Sequence, residues 1–170
     1  MPRSPIIVIP ARLAATRLPD KPLADIHGEP MIVHVWRRAQ EAAVGPVVVA
    51  CGDQAIADAI AAAGGNAIMT RSDHASGSDR VFEALEHVDP DGRHDAVINL
   101  QGDLPTIEPK AVQAVLMPLA DPAVDIATLA ARITSPEERD NPSVVKAAVS
   151  FGDASGAGVL PIARALYFSR

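Results

Sequence analysis

The sequence predicts an α/β fold, a mostly parallel sheet with helices on both faces. Short β-branched apolar runs alternate with helical patterns along the chain, as they do in successive β-α-β units. Several of these runs are apolar at every position, as strands covered on both faces must be. Composition agrees: 170 residues, 48% hydrophobic and 21% charged, can bury a core without a disulfide or metal staple.

The elements follow in order. Pro5-Ile-Ile-Val-Ile-Pro10 is the first strand. Arg12 to Pro22 is a loop, because Pro19 and Pro22 would break a helix. Pro30 opens a helix in which Met31, Ile32, Val35, Trp36 and Ala39 recur at helical spacing, so Trp36 is expected in the core. Pro46 to Cys51 is the second strand, and an Ala-rich helix from about Gln54 to Ala63 ends at Gly64-Gly65. Asn66 to Thr70 is a short third strand. Ser76 or Ser78 then caps a helix with Val81, Phe82, Leu85 and Val88 on one face. Asp95 to Leu100 is the fourth strand, followed by a helix from about Glu108 to Leu119. Asp125 to Arg132 and Val144 to Ser150 are expected as later strands, separated by the acidic stretch Pro136 to Asp140. No repeat or linker interrupts the chain, so residues 1–170 are expected to form a single domain. Gly152 to Gly158 is expected as a flexible connection inside it.

Charge and composition exclude several functions. The net charge is -6, from 15 Lys plus Arg against 21 Asp plus Glu, and no basic run exists to hold nucleic acid. Aromatic residues are 3% of the chain, too few for base-stacking platforms. No apolar run approaches the ~18 residues of a membrane span, and no cleavable signal precedes the first strand, so no membrane partner is expected. The single cysteine, Cys51, has no partner for an internal disulfide, which suits a reducing compartment and a cytoplasmic location.

In an open parallel sheet, ligands bind at the carboxyl ends of the strands, where strand order reverses. The loop after the first strand places Arg12, Arg17 and Lys21 there, three cations that call for a polyanion such as a triphosphate. Lys21, a mobile point charge and one of three lysines, suits the end from which pyrophosphate departs. Neither G-x-x-x-x-G-K-[ST] nor G-x-G-x-x-G occurs, which argues against P-loop and dinucleotide-binding chemistry. After the fourth strand, Gln101-Gly-Asp-Leu-Pro105 presents Asp103 where a carboxylate can hold Mg²⁺ against substrate phosphates. Between Thr70 and Arg80, the side chains of Arg71, His74, Ser76 and Arg80 offer directed hydrogen bonds suited to a base or sugar, while Ser78 and Asp79 suit helix capping. His74 lacks an accompanying nucleophile, and His27, His34, His74, His87 and His94 lack metal-ligand spacing.

Five motifs in register then carry a resemblance. They are Ala11-Arg-x-x-x-Thr-Arg-Leu-Pro-x-Lys-Pro-Leu23, Gly28-x-Pro-Met-Ile-x-His34, Thr70-Arg-x-Asp-His-x-Ser-Gly-Ser-Asp-Arg80, Asn99-x-Gln-Gly-Asp-x-Pro105 and Asn141-Pro-x-Val-Val-Lys146. Together they resemble the 3-deoxy-manno-octulosonate (Kdo) cytidylyltransferases over essentially the whole chain. The resemblance implies a Rossmann-like nucleotidyltransferase fold, a homodimer, and transfer of CMP from CTP to Kdo with Mg²⁺, in lipopolysaccharide biosynthesis. It implies triphosphate contacts at Arg12, Arg17 and Lys21, and a metal at Asp103. It implies nucleoside contacts at Arg71, Ser76 and Gln101, and a sugar-carboxylate contact at Arg170. Arg12, Lys21 and Asp103 are the catalytic candidates. Ser78 stands where threonine is common. Acylneuraminate cytidylyltransferases are the nearest alternative, but Thr16-Arg-Leu-Pro departs from their Gly-Ser-Lys type of first loop. Because the family continues for some tens of residues past the position of Arg170, with a second acidic metal ligand, a non-catalytic CTP-binding fragment is the other alternative.

Overall fold

The first strand, β1 (Pro5–Ala11), pairs in parallel on both edges and sets the architecture. The computed structural model describes residues 4–13, 20–151 and 161–169. Arg17, Arg170 and the Gly152 to Gly158 stretch lie outside the described residues. The chain divides into two compact units, Met1–Leu116 and Met117–Arg170.

In the first unit, β1 is followed by a miniature hairpin, β2 (Asp25–Ile26) and β3 (Glu29–Pro30), and by helix α1 (Met31–Glu41). His27 and Gly28 both have positive φ, 53° and 87°, as a two-residue hairpin turn of the type I′ class requires. β4 (Val47–Cys51), α2 (Gln54–Ala62), β5 (Asn66–Met69), α3 (Gly77–Val88), β6 (Ala96–Asn99) and α4 (Pro109–Ala114) complete the unit. The sheet order is β5-β4-β1-β6, all parallel. β4 and β5 are added on one side of β1 and β6 on the other, so strand order reverses at β1.

The apolar runs that predicted these strands are the core. Ile6, Ile7, Val8 and Ile9 are at most 1% exposed. Ile6 and Val8 pack with Val48, Ala50, Val81 and Ala84 beneath α3. Ile7 and Ile9 point to the opposite face, which α1 and α2 cover. Two prolines sit in this central strand, although proline cannot donate to a ladder. The Ile7 N–H donates to Pro46 O on the β4 side, so the missing N–H of Pro10 lies on the β6 side. That ladder ends at Val8 and Asn99, two residues short of Pro10.

Four expectations are corrected. Phe82 is 63% exposed rather than buried with Val81; it falls on the outer edge of the α3 stripe. Of the two capping candidates, Ser76 is the N-cap of α3, within the expectation. The helix expected to run to Leu119 stops as α4 at Ala114, and Pro118 opens a separate 3-10 turn over Pro118–Ala120, since proline lacks the N–H that would continue the helix. Asp125 to Arg132 forms no strand; it finds no partner ladder among the described residues. Trp36, expected in the core, is only half-buried, its indole packed closely over Gly65, where a Cβ would lie 2.9 Å from Trp36 Cε2.

The second unit contains α5 (Pro136–Asp140), capped by Ser135, and an antiparallel pair, β7 (Lys146–Ser150) and β8 (Arg164–Ser169). The expected strand near Val144 to Ser150 is β7.

Truncating a side chain at the centre of β1 tests this arrangement. Ile7→Ala is expected to lower unfolding free energy by about 2–5 kcal/mol, measured by urea unfolding; a loss below about 1 kcal/mol would mean that β1 is not the packed centre.

Candidate active site

The carboxyl ends of β1 and β6 form one wall of a cleft of about 260 Å³. Pro10, Ala11 and Arg12 enter it from β1, Lys21 and Pro22 from the turn that follows, and Gln101, Gly102 and Asp103 from the loop after β6. His74, Ser76, Gly77 and Arg80 enter from the start of α3, and Met31 from the start of α1. The cleft therefore sits where strand order reverses, as an open parallel sheet requires of its ligand site.

Two backbone features bring these loops together. Gly102 approaches β1 so closely that a Cβ there would lie 2.7 Å from Pro10 O and 3.3 Å from Ile32 Cδ1; glycine is what lets the β6 loop lie on the end of β1. The loop after β1 is tied to the end of β4 by the Leu13 N–H, which donates to Asp53 Oδ2 at 2.9 Å.

Lys21 Nζ donates to Asp103 Oδ2 at 2.7 Å, joining the β1 loop to the β6 loop. The side chains are 36% and 51% exposed, so the pair contributes about 0–1 kcal/mol. An anionic ligand and a cation can separate them at small cost. The lysine and the aspartate that the sequence singles out on different loops, 82 positions apart, thus meet at the mouth of the cleft. Arg12 lines the same cleft and is exposed.

The remaining expectations divide. Ser76 and Gln101 line the cleft. The Ser76 hydroxyl accepts from the Asp79 N–H at 3.2 Å and donates to Asp79 Oδ2 at 2.8 Å, while Asp79 Oδ2 accepts from the Ser76 N–H, a reciprocal capping box. Gln101 Nε2 donates to Asn99 Oδ1 at 3.0 Å. Arg71 is not among the lining residues; its exposed guanidinium forms a two-point ion pair with Asp73 at 3.0 and 2.8 Å, which raises the Arg71 pKa and lowers that of Asp73.

Sequence reading missed Glu83. It lies in the second turn of α3, accepts from His74 Nε2 and takes the Arg71 N–H on both oxygens at 3.2 and 3.1 Å. The His74 hydrogen bond is the main cause that holds the Glu83 carboxyl below its ordinary range. Its sequence signal is faint: it follows Asp79 by four residues, hence on the same helix face. Arg80, 2% exposed, donates to Thr70 Oγ1, and the Thr70 hydroxyl donates to Cys51 O at 3.1 Å. This chain pins α3 to the ends of β4 and β5. Cys51 is fully buried, and burial pushes its thiol pKa up.

Comparison with known proteins places these features in a class. The cytidylyltransferase family profile matches residues 6–170, and the chain belongs to that family. It is similar to the 3-deoxy-manno-octulosonate cytidylyltransferase of Rhodospirillum centenum, 67% identical over 169 residues that make up 99% of this chain and 64% of that protein. The enzyme of the same name from Paramagnetospirillum magneticum is 60% identical, over 98% of this chain and 66% of that protein. The solved structure of a CMP:2-keto-3-deoxy-manno-octonic acid synthetase complexed with CTP superposes with a TM-score of 0.82 at 45% identity, over 98% of this chain and 64% of that one. A nucleotidyl transferase from Methanothermobacter thermautotroptrophicus, 15% identical with a TM-score of 0.58, shares the fold. The chain spans about two-thirds of the length of the relatives it matches.

Two variants test the geometry. Gly102→Ala is expected to lower stability by about 1–3 kcal/mol through overpacking against Pro10 O and to weaken nucleotide binding; an unchanged melting temperature and affinity would mean that the close approach is dispensable. The folded-state pKa of Glu83 is depressed, so its contribution is present above the unfolded value of ~4.3 and is lost as pH falls through the folded value. The stability difference between wild type and Glu83→Gln in urea unfolding is expected to shrink on acidification below that range. A difference independent of pH would contradict the pairing.

Proposed function

We propose that this chain is the nucleotide-binding portion of an enzyme that transfers CMP from CTP to Kdo, releasing pyrophosphate in lipopolysaccharide biosynthesis. The observation that carries the reading is the meeting of Lys21 and Asp103 at the mouth of a cleft placed at the reversal of strand order, in a chain of the cytidylyltransferase family. The names of the Kdo-specific relatives and the CTP held by the similar solved structure support the substrates.

In this reading a Kdo hydroxyl attacks the α-phosphorus of CTP in line, and the bond to pyrophosphate breaks. Arg12, Arg17 and Lys21 hold the triphosphate, and Lys21 leaves Asp103 to follow the charge that builds on the departing pyrophosphate. Ser76, Gln101 and Arg71 serve the nucleoside, and Arg170 the Kdo carboxylate.

Asp103 fits a divalent cation in one respect: its carboxylate already neutralises a cation, the Lys21 ammonium, at the rim of the cleft. Among the described residues no group of three or more acidic, His or Cys side chains gathers, so water and phosphate oxygens would complete the shell, as Mg²⁺ prefers. Bound there, Mg²⁺ would supply charge neutralisation on the phosphate oxygens. No described helix is long and apolar enough to cross a membrane; a cytoplasmic homodimer belongs to the same proposal.

A second reading, a CTP-binding fragment without turnover, is favoured by one observation, the coverage of about two-thirds of each relative. Calorimetry with CTP and Mg²⁺ beside a pyrophosphate-release assay distinguishes them, since binding without release is the fragment's signature. Parallel assays with Kdo and an acylneuraminate separate the sugars. Lys21→Ala and Asp103→Ala are each expected to reduce Kdo-dependent pyrophosphate release by ~100-fold or more with an unchanged circular dichroism spectrum. Near-full turnover would remove that residue from the mechanism.

A further inference from the structure

We propose that Asp53 is a positioning residue for the triphosphate: its carboxylate fixes Leu13, and through Leu13 the two stretches of backbone that carry Arg12 and Lys21. The inference rests on the cleft being a CTP site, and it adds a residue that is not among those lining the cleft. β1 turns alternate N–H groups toward β4, beginning with the Ile7 N–H to Pro46 O; counted on by twos, the Leu13 N–H falls on that side. There it donates to Asp53 Oδ2 at 2.9 Å, a charge-assisted bond. The ladder of β1 with β4 ends at Ala11 opposite Cys51, so Arg12 is flanked by the last ladder pair and by the Asp53 bond. The Leu13 carbonyl in turn accepts from the Asp20 N–H at 3.4 Å, and Lys21 follows Asp20. One carboxylate therefore holds the residue at which the stretches bearing both cations meet.

Asp53 is placed for this task rather than for holding its own helix. It occupies the N-cap position of α2, yet its side chain caps no N–H of that helix, where an aspartate ordinarily would. The turn that carries it is itself fixed, because Gly52 packs against the Arg80 guanidinium so closely that a Cβ would lie 2.8 Å from Nη1. Little else steadies the two cations. Among the described residues Arg12 forms no ion pair, and Lys21 pairs with Asp103 across an exposed contact. Two like charges gathered at one cleft repel each other, and ordering them only when the ligand arrives would cost affinity. Asp53 removes that cost in advance, and it does so for a ligand long enough to engage both cations.

The test is calorimetric binding of CTP and of CMP, with Mg²⁺ throughout, to the wild-type chain, Asp53→Asn and Asp53→Ser. Asparagine keeps an acceptor oxygen at the same reach; serine leaves α2 a capping hydroxyl but is one bond too short for Leu13. Asp53→Ser is expected to bind CTP about tenfold more weakly, the worth of one hydrogen bond, with CMP affinity unchanged, and Asp53→Asn to recover CTP binding. Amide hydrogen exchange gives a reading on the wild-type chain alone: the Leu13 N–H is expected to be protected before any ligand is added. Full CTP affinity in Asp53→Ser, an equal weakening of CTP and CMP, failure of that variant to fold, or an unprotected Leu13 N–H would overturn the inference alone. A wild-type chain that binds CTP no better than CMP would overturn it together with the triphosphate reading of the cleft.

Discussion

Everything at the site depends on β1 being paired on both edges and buried on both faces. Ile6 to Ile9 leave no surface for water, and the register Val8 to Val48 on one side and Val8 to Asn99 on the other fixes β1, β4 and β6 against one another. Because β6 stops two residues short of Pro10, the end of β1 projects past its neighbour, and the next loop folds over that projection. Gly102 makes the fold-over sterically possible. The position of Asp103 is therefore a consequence of ladder length and of one missing side chain.

The electrostatics follow from the same construction. A chain of net charge -6 concentrates Arg12, Lys21 and Arg80 about one cleft, with Asp103 beside Lys21. An exposed pair of this kind adds little stability. In the proposed reading its value is that two oppositely charged groups stay neutralised and close until a polyanion and a cation replace each partner. The walls behave differently. Arg80, Thr70 and Cys51 form a buried chain, and Glu83 clamps Arg71 and His74, so the side of the cleft built by α3 is tied by several hydrogen bonds where the mouth is joined by one exposed ion pair.

The four strands of the main sheet could be read from the sequence because each is a short, largely apolar run bounded by proline, glycine or polar residues; the two-residue strands of the β2–β3 hairpin are too short to leave such a run. The cleft could be read in outline because chemistry in a parallel sheet collects after the strands. Three things were not legible. Phe82 satisfies a helical stripe in spacing alone, and which edge of a stripe meets the sheet is decided by packing. Asp125 to Arg132 has strand composition, but a strand exists only with a partner. Glu83 looks like any exposed helical acid until the fold places it against His74 and the Arg71 amide. The prolines of β1 did not hide its central place, which its apolar faces carry; the register shows that the missing donor of Pro10 lies beyond the end of the β6 ladder.

The most direct measurement is a crystal structure of the chain grown with CTP and Mg²⁺. The triphosphate should lie across the ends of β1 and β6, with Lys21 Nζ moved from Asp103 to the phosphate oxygens. A triphosphate bound elsewhere, or bound in the cleft with the Lys21–Asp103 pair intact, would contradict the site.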